Sequence, residues 1–496
     1  MSVVSSVPRL RLVTDPNKGR SLVVASPEGV VAGTILFSEK AYAGVVLSEF
    51  NGAICNVCYK AADPDICCDD CSEVTYCSDA CQSLLQHVHD LECPVLEDID
   101  IMVKKSGTDR DLLRLLLRLL CTRASEAARP TSSSDVVATT FEHVREMVHA
   151  THLLGDAWNT SVASGAAMLL AALPSSVTAS LTVDDVVELA GRINENSYSV
   201  DSWTGQPMVT AVCMFPLAGL VNHACDPNCT WSNAGDSTIA VKATRFIPCG
   251  EEISLTYIDT NRSRDVRQAD LAATKHFDCR CARCTEPLAT SVDLRVDGVC
   301  CASCGVDGLF VGSLEDKTTP WACKGCGRSV SADAIEQFKV EAAALLARAD
   351  AAYAKRQYKE TTDVLDDLRE HYDVHSTNVA DLFLHPSHYI LTKALRVLAD
   401  CNTKIGNIET AYANRKDVIA RLASVVPQYS FLMGNCYFDL GDILAICLKH
   451  HVWKDDAEVA AKRAEADAAF ATCVDIRTIC FVAEHPLVVE ARKRLA

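Results

Sequence analysis

An α+β, multidomain protein is what the sequence predicts, with a β-rich core, cysteine-rich inserts and an all-α C-terminal region. Three observations carry this reading. The chain has 496 residues, and one hydrophobic core seldom grows past about 250–300, so about two to four domains are expected. Its 26 cysteines fall largely into short-spaced groups between residues 55 and 326. Ile239 to Tyr257 alternates as strands do, whereas residues 335–496 are alanine- and leucine-rich with helical periodicity.

Composition narrows the class. Apolar residues make up 49% and charged residues 23%, which excludes a mainly disordered chain. Lys and Arg total 47 against 65 Asp and Glu, a net charge of −18. So acidic a protein is a poor general nucleic-acid binder, and its field favours basic partners. The run Gly165 to Leu173 is shorter than the roughly 18 apolar residues of a membrane span. The first residues, MSVVSSVPRLRL, lack a secretory apolar segment. An intracellular, soluble chain with no membrane association is expected, in which the cysteines are not disulfides.

The cysteine spacing says what they are instead. Cys55-x2-Cys58, Cys68-x2-Cys71, Cys77-x3-Cys81 and His89-x3-Cys93 place eight potential ligands within 39 residues. Zinc takes four thiolate or imidazole ligands, so eight imply two ions. Cys77/Cys81 and His89/Cys93 are i,i+4 pairs that suit one helix face each. Interleaving the pairs, first with third and second with fourth, would cross-brace a segment with almost no core of its own. Metal would then supply its folding energy. Cys279-x-Cys281-x2-Cys284 offers three ligands and needs a fourth. Cys301-x2-Cys304 and Cys323-x2-Cys326, with Gly305 and Gly327 after each pair, predict a zinc ribbon. The eleven remaining cysteines are expected to be buried thiols.

Four motifs follow one another in order along the chain. The first cluster, with Tyr76 and Gln82 at its third pair, resembles a MYND finger. Asn222-His223-Ala224-Cys225-Asp226-Pro227-Asn228 is similar to the NHSCxPN signature of SET domains. Gly250-Glu251-Glu252-Ile253-Ser254-Leu255-Thr256-Tyr257 resembles the GEE segment that follows it. Phe277-x-Cys279-x-Cys281-x2-Cys284 resembles the post-SET motif. Together the four motifs resemble the SET and MYND domain (SMYD) family of protein lysine methyltransferases. The resemblance implies a β-rich SET fold interrupted by the finger, and it supplies ligand sets. These are Cys55, Cys58, Cys77 and Cys81; Cys68, Cys71, His89 and Cys93; and Cys225 with Cys279, Cys281 and Cys284. With the ribbon, about four zinc ions per chain are expected.

The elements follow in order. Residues 1–52 are expected to be the N-terminal part of the SET domain, with a turn at Lys18-Gly19-Arg20-Ser21 before Leu22-Val23-Val24. The glycine permits close backbone approach to a ligand; Ser21 stands where the family has a second glycine. Residues 53–95 are the finger. Residues 96–195 form a helical insertion, with Thr108 capping a helix whose Arg110, Arg114 and Arg118 stripe is expected to face solvent. Arg129 to Asp135 reads as a linker. Residues 196–262 form the SET core, where alternation places Ile253, Leu255 and Tyr257 on one strand face. Residues 263–290 are the post-SET motif, 298–330 the ribbon, and 331–496 a helical domain. There, Ala351 to Tyr358 resembles the end of a tetratricopeptide (TPR) helix.

The resemblance implies transfer of a methyl group from S-adenosylmethionine to a neutral lysine amine, which the site must align and desolvate. It places Lys18, Gly19, Arg20, Asn196, Asn222, His223, Tyr257 and Phe277 at the cofactor. Asn222 and His223 are to hold it through backbone and amide contacts, and Tyr257 is the catalytic residue that orients the amine. Glu251 and Glu252 read as structural. The family has a second tyrosine two residues before the post-SET phenylalanine; here that position is Lys275, and no tyrosine occurs between Tyr257 and Tyr353. Its ammonium would repel both sulfonium and substrate, unless it reaches solvent or loses its charge on burial.

A protein lysine substrate, histone or non-histone, is the expected partner. Peptides that bind the finger and the C-terminal helices are further expected partners. From Asn51 to Val95 there is one basic residue, Lys60, against eight acidic ones, which argues against nucleic acid at the finger. The chain is expected in cytoplasm and/or nucleus, as a monomer. The competing readings are a catalytically weak SET/MYND adaptor, supported by Lys275 and Ser21, and a TPR co-chaperone resting on the C-terminal helices alone.

Overall fold

A computed structural model describes residues 7–16, 18–128, 136–203, 208–313, 316, 318–374 and 381–495; the linker read at 129–135 lies outside them. Strands β1 (Leu10–Asp15) and β2 (Gly19–Val24) form a hairpin pairing Leu10 with Val24 and Asp15 with Gly19. Its turn closes with the Lys18 amide donating to Asp15 Oδ1 at 2.9 Å, and Gly19 takes φ +76°, a region glycine enters without cost. Strands β3 (Ile35–Lys40) and β4 (Ala43–Val46) follow.

The finger enters at this point and runs into α1 (Asp79–Leu96), followed by α2 (Ile99–Ser106) and α3 (Arg110–Ala124). Helices α4 (Phe141–Arg145), α5 (Asp156–Ala172), α6 (Ser175–Thr178) and α7 (Val183–Asn196) complete the insertion. The finger does not stand alone: its Val74, Tyr76, Val88 and Leu96 pack in one core with Leu116, Leu119 and Leu189 of the insertion. Only Cys81 of its third pair is helical. Cys77 precedes α1, whose first turn is capped by the Ser78 hydroxyl accepting from the Cys81 amide at 3.3 Å.

The arginine stripe corrects an expectation. Arg114 and Arg118 are buried, because α3 packs against α1, α2 and β4 at once. The Arg118 guanidinium grips Glu92 through two 2.7 Å bonds and donates to the Gly44 carbonyl at 3.1 Å. Arg110 binds Asp100 at 2.7 Å and Glu73 at 3.1 Å. Breaking one side of such a buried pair costs about 3–5 kcal/mol. Thr108 is not the cap of α3. Asp109 is, accepting from the Leu112 amide at 2.9 Å, while the Thr108 hydroxyl donates to the Ser161 carbonyl.

The core resumes with β5 (Ser197–Asp201), β6 (Val209–Met214), β7 (Asn222–His223), β8 (Cys229–Gly235), β9 (Thr238–Ala243) and β10 (Ser254–Leu255). The sheets have the orders β3-β9-β8 and β4-β6-β5, with a parallel β7–β10 pair. Asp236 and Ser237, both at positive φ, turn β8 into β9, the two-residue loop that matches strand twist. Leu22, Val24, Phe37, Phe215, Val241, Ile253 and Leu255 form the core between these sheets. Strand β10 stops at Leu255. Tyr257 therefore leaves the buried face of Ile253 and Leu255 and is 38% exposed.

Helices α8 (Arg264–Lys275), α9 (Ala282–Thr285) and α10 (Asp293–Val296) cover the post-SET segment. Strands β11 (Val299–Cys301), β12 (Phe310–Val311), β13 (Trp321–Cys323) and β14 (Ser329–Val330) form the ribbon region. The C-terminal region holds α11 (Ala332–Ala354), α12 (Tyr358–Tyr372), β15 (Leu382–Leu384), α13 (Tyr389–Lys404), α14 (Ile408–Leu422), α15 (Phe431–Lys449), α16 (Asp456–Cys480) and α17 (Pro486–Leu495). Successive helices pack as neighbours. The region is not purely helical: β15 pairs with β11, so the ribbon shares its edge with the helices.

Helix α15 is long and apolar enough in composition to cross a membrane, although no long apolar run stood out in the sequence. Packing accounts for its apolar residues. Leu440, Ile443 and Leu444 share a core with Tyr412 of α14 and Ala466 and Ala469 of α16. Lys242 of β9 reaches the C-terminal end of α16, donating to the Thr478 and Phe481 carbonyls at 2.7 and 2.6 Å.

Candidate active site and metal centres

The hairpin turn and the Asn222 motif meet through Glu252. Lys18 Nζ lies 2.5 Å from Glu252 Oε2, and Asn222 Nδ2 donates to Glu252 Oε1 at 2.9 Å. The same amide donates to the Arg20 carbonyl and to Ser21 Oγ, each at 3.0 Å. Ser21 is thus a built-in acceptor rather than a defect. The Asn222 amide nitrogen is committed to strand β2 and Glu252, which leaves its backbone and its amide oxygen to meet a ligand. The Arg20 guanidinium turns to Glu146, donating to its carbonyl and lying 3.5 Å from its carboxylate.

His223 is buried beneath Tyr257. Its Nδ1 lies 3.0 Å from the Tyr257 amide, which donates to it, and burial pushes the imidazole down to about 4. The ring is therefore neutral at physiological pH. Phe277 completes an aromatic group, 6.3 Å from His223, with Tyr257 at 5.3 Å.

Beside this belt lies a cavity of about 260 Å³ walled by Glu195, Asn196, Tyr198, Gly219, Trp231, Leu255, Tyr257 and Lys275. Of the predicted residues, Asn196 and Tyr257 line it. Lys18, Gly19, Arg20, Asn222, His223 and Phe277 do not. The Tyr257 hydroxyl donates to the Val221 carbonyl at 2.7 Å and the Tyr198 hydroxyl to the Ala218 carbonyl at 2.9 Å. Burial, and for Tyr257 the nearby Glu252 carboxylate, hold the phenol protonated. With its proton spent on a carbonyl, each hydroxyl keeps lone pairs to accept from an amine. The turn bearing these carbonyls is fixed by buried Glu39, whose two oxygens accept from the Leu217 and Ala218 amides at 2.8 Å. Sequence reasoning missed Tyr198 and Glu39. Tyr198 had a signal, two positions after Asn196; Glu39 had none. Lys275 Nζ stays inside, donating to the Glu195 carbonyl at 2.7 Å, and burial lowers its pKa.

A larger space, about 580 Å³, opens between the finger, β4 and α3. It holds none of the residues predicted at the cofactor, so size does not locate the chemistry.

All 26 cysteines are free thiols, and four groups of ligand atoms converge. They are Cys55, Cys58, Cys77 and Cys81; Cys68, Cys71, His89 and Cys93; Cys225, Cys279, Cys281 and Cys284; and Cys301, Cys304, Cys323 and Cys326. In each, the ligand atoms lie within 4.8 Å of one another. Sulfur separations of 3.4 Å for Cys58–Cys77, 3.5 Å for Cys225–Cys284 and 4.0 Å for Cys301–Cys326 bracket the roughly 3.8 Å expected around tetrahedral zinc. These groups could hold zinc.

The surroundings agree. His89 Nδ1 sits 3.1 Å from Glu92 Oε1, the kind of contact that orients an imidazole ligand. Burial opposes ionisation of Glu92, but the Arg118 guanidinium holds it down at about 2. Around the third group, Arg264, Arg267 and Arg283 share one carboxylate, Asp293. That leaves about two positive charges beside four sulfurs, the sign that complements the negative charge of zinc bound by four thiolates. Of the other cysteines, Cys249 is exposed and Cys67 half-buried, contrary to the expectation of burial; the rest are buried.

A family model described as the SET domain matches residues 57–258. The histone-lysine N-methyltransferase ASHR1 of Arabidopsis thaliana is 26% identical over 319 residues, covering 63% of this chain and 62% of that protein. The histone-lysine N-methyltransferase Smyd1 of Mus musculus is 26% identical over 298 residues, 58% of this chain and 57% of its own. The N-lysine methyltransferase SMYD2 of Homo sapiens is 28% identical over 274 residues, with 54% and 59% covered. The chain thus spans about three-fifths of the length of these relatives.

Proposed function

We propose that this chain is a member of the SET and MYND family, as its SET-domain match and its SMYD-named relatives support, and is an S-adenosylmethionine-dependent protein lysine N-methyltransferase. The observation that carries the reading is the cavity in which Tyr198 and Tyr257, both tied to carbonyls of one turn, face the same space. The relatives are named as histone-lysine and N-lysine methyltransferases, which supports a protein lysine as the acceptor, histone or non-histone. The −18 charge suits basic tails. Cytoplasm and/or nucleus is the proposed location.

The residues present fit the cofactor. Gly19 has open space where a Cβ would stand; Lys18 and Arg20 flank it, and a cofactor carboxylate that used them would compete with Glu252 and Glu146, which hold them here. Gly219 lines the cavity and packs closely on Met147, whose methyl a Cβ at that position would meet at 2.6 Å. When bound, S-adenosylmethionine supplies an electrophilic methyl on a sulfonium. The chain's own part is to hold the amine in line, through the Tyr257 and Tyr198 oxygens, and to exclude water. His223, buried and neutral, keeps the Tyr257 backbone in place. We assign the four converging groups to zinc, two in the finger, one in the post-SET segment and one in the ribbon.

The adaptor reading keeps one observation, the Lys275 ammonium inside the cavity. Calorimetric titration of the zinc-loaded protein with S-adenosylmethionine separates the two. Micromolar binding, followed by label transfer to a lysine-containing protein, is expected. No binding at millimolar cofactor leaves the adaptor, with peptides of the finger and C-terminal helices as the partners to seek.

A further inference from the structure

We infer that Lys275 is a specificity-determining residue of the Tyr257 cavity, whose fixed ammonium selects the neutral form of an incoming amine and disfavours a cationic sulfonium over the neutral thioether. The inference rests on the proposed methyl transfer and deepens it. Lys275 is the last residue of α8, and its Nζ donates to the Glu195 carbonyl at 2.7 Å. Glu195 lies in the last turn of α7, where carbonyls lack helical partners and carry partial negative charge. The same Nζ stands 6.0 Å from the centre of the Tyr257 ring, at the edge of cation–π reach. A carbonyl and a ring face thus hold a charge that burial opposes.

The titratable groups facing Lys275 come from three other places. Glu195 is on α7, Tyr198 on β5, and Tyr257 on the segment after β10. From its own end of α8, His276 places Nε2 3.4 Å from Glu195 Oε1, whereas Lys275 meets that residue at its backbone carbonyl and feels the carboxylate only through space. The wall therefore keeps a cation where an amine must arrive.

A like charge a few ångströms away disfavours the charged form of a titrating group. A lysine ammonium entering the cavity gives its proton to solvent more readily, and the neutral amine is the species that attacks carbon. The bond that forms is N–CH3 and the bond that breaks is S–CH3. The positive charge passes from sulfur to nitrogen, and the surplus proton leaves to water. No base is needed within the cavity. The same field acts on the sulfonium before transfer and is relieved once it becomes a thioether.

The test compares wild type, Lys275→Met and Lys275→Arg by calorimetry with S-adenosylmethionine and S-adenosylhomocysteine. Lys275→Met is expected to tighten S-adenosylmethionine about tenfold and to leave S-adenosylhomocysteine within about twofold. Lys275→Arg, which keeps the charge, follows wild type. In methyl transfer at saturating substrate, the acid limb of the pH profile of kcat, which reports ionisation in the bound complex, is expected to move up by about one pH unit in Lys275→Met and to stay in Lys275→Arg. Should Lys275→Met fail to fold, Lys275→Gln keeps a donor for the Glu195 carbonyl without the charge. Equal changes for both ligands, or an unmoved acid limb, overturn the role of Lys275. Failure of wild type to bind either ligand overturns the methyl-transfer reading itself.

Discussion

Tyr257 shows how a motif residue becomes a site. Alternation from Ile253 would bury it, but the strand ends at Leu255 and the His223 ring takes the Tyr257 amide. The side chain then swings to the cavity with its hydroxyl on Val221. Tyr257→Phe removes the oxygen that would orient the amine and leaves the ring on His223. We expect methyl transfer to fall by about a hundredfold or more, with cofactor affinity kept within a few-fold by calorimetry. Unchanged turnover would remove Tyr257 from the site. Ser21 teaches the complementary lesson: read from the motif it was a missing glycine, yet its hydroxyl accepts from Asn222.

At the scale of elements, the finger and the insertion form one unit. The chain of contacts runs from Cys71 through His89, Glu92 and Arg118 to the Gly44 carbonyl. A ligand, its orienting carboxylate and a core strand are thereby linked. The pairing of the finger's cysteines was legible from spacing because adjacent ligands are local in sequence. The burial of Arg114 and Arg118 was not, because their partners Glu73 and Glu92 sit on the finger, far along the chain. Metal analysis of the purified protein is expected to give about four zinc ions per chain. A value near two would sink the post-SET and ribbon assignments. Strong chelation is expected to loosen the finger's cysteine-rich loops, whose geometry the metal would fix.

The whole molecule carries a pH signature. Burial, together with nearby arginines, pushes His385 and His485 down to about 4, each below its ordinary value of 6.5. A histidine neutral when folded takes up its proton on unfolding, so the unfolded chain binds more protons below pH 6.5. Stability from these groups is present above that value and is lost as the pH falls from 6.5 toward 4. Thermal melts of the zinc-loaded protein are expected to drop across this window. In His485→Gln the drop is expected to be shallower; an equal drop would remove His485 from the account.

The sequence alone determined the ligand groups of the finger and the ribbon, the order of the motifs and the split between a β-rich core and C-terminal helices. Each of these is written in spacing along a few dozen residues at most. Tertiary structure alone decided that residues 195–198, 219, 231, 257 and 275 enclose one cavity. It also decided that Lys275 stays inside it on the Glu195 carbonyl, that β15 closes onto β11, and that Lys242 reaches the end of α16. These contacts join segments that no local pattern relates. The physical reason is that a buried charge or hydroxyl settles where a carbonyl or carboxylate from another element satisfies it, and only the folded chain says which one is near.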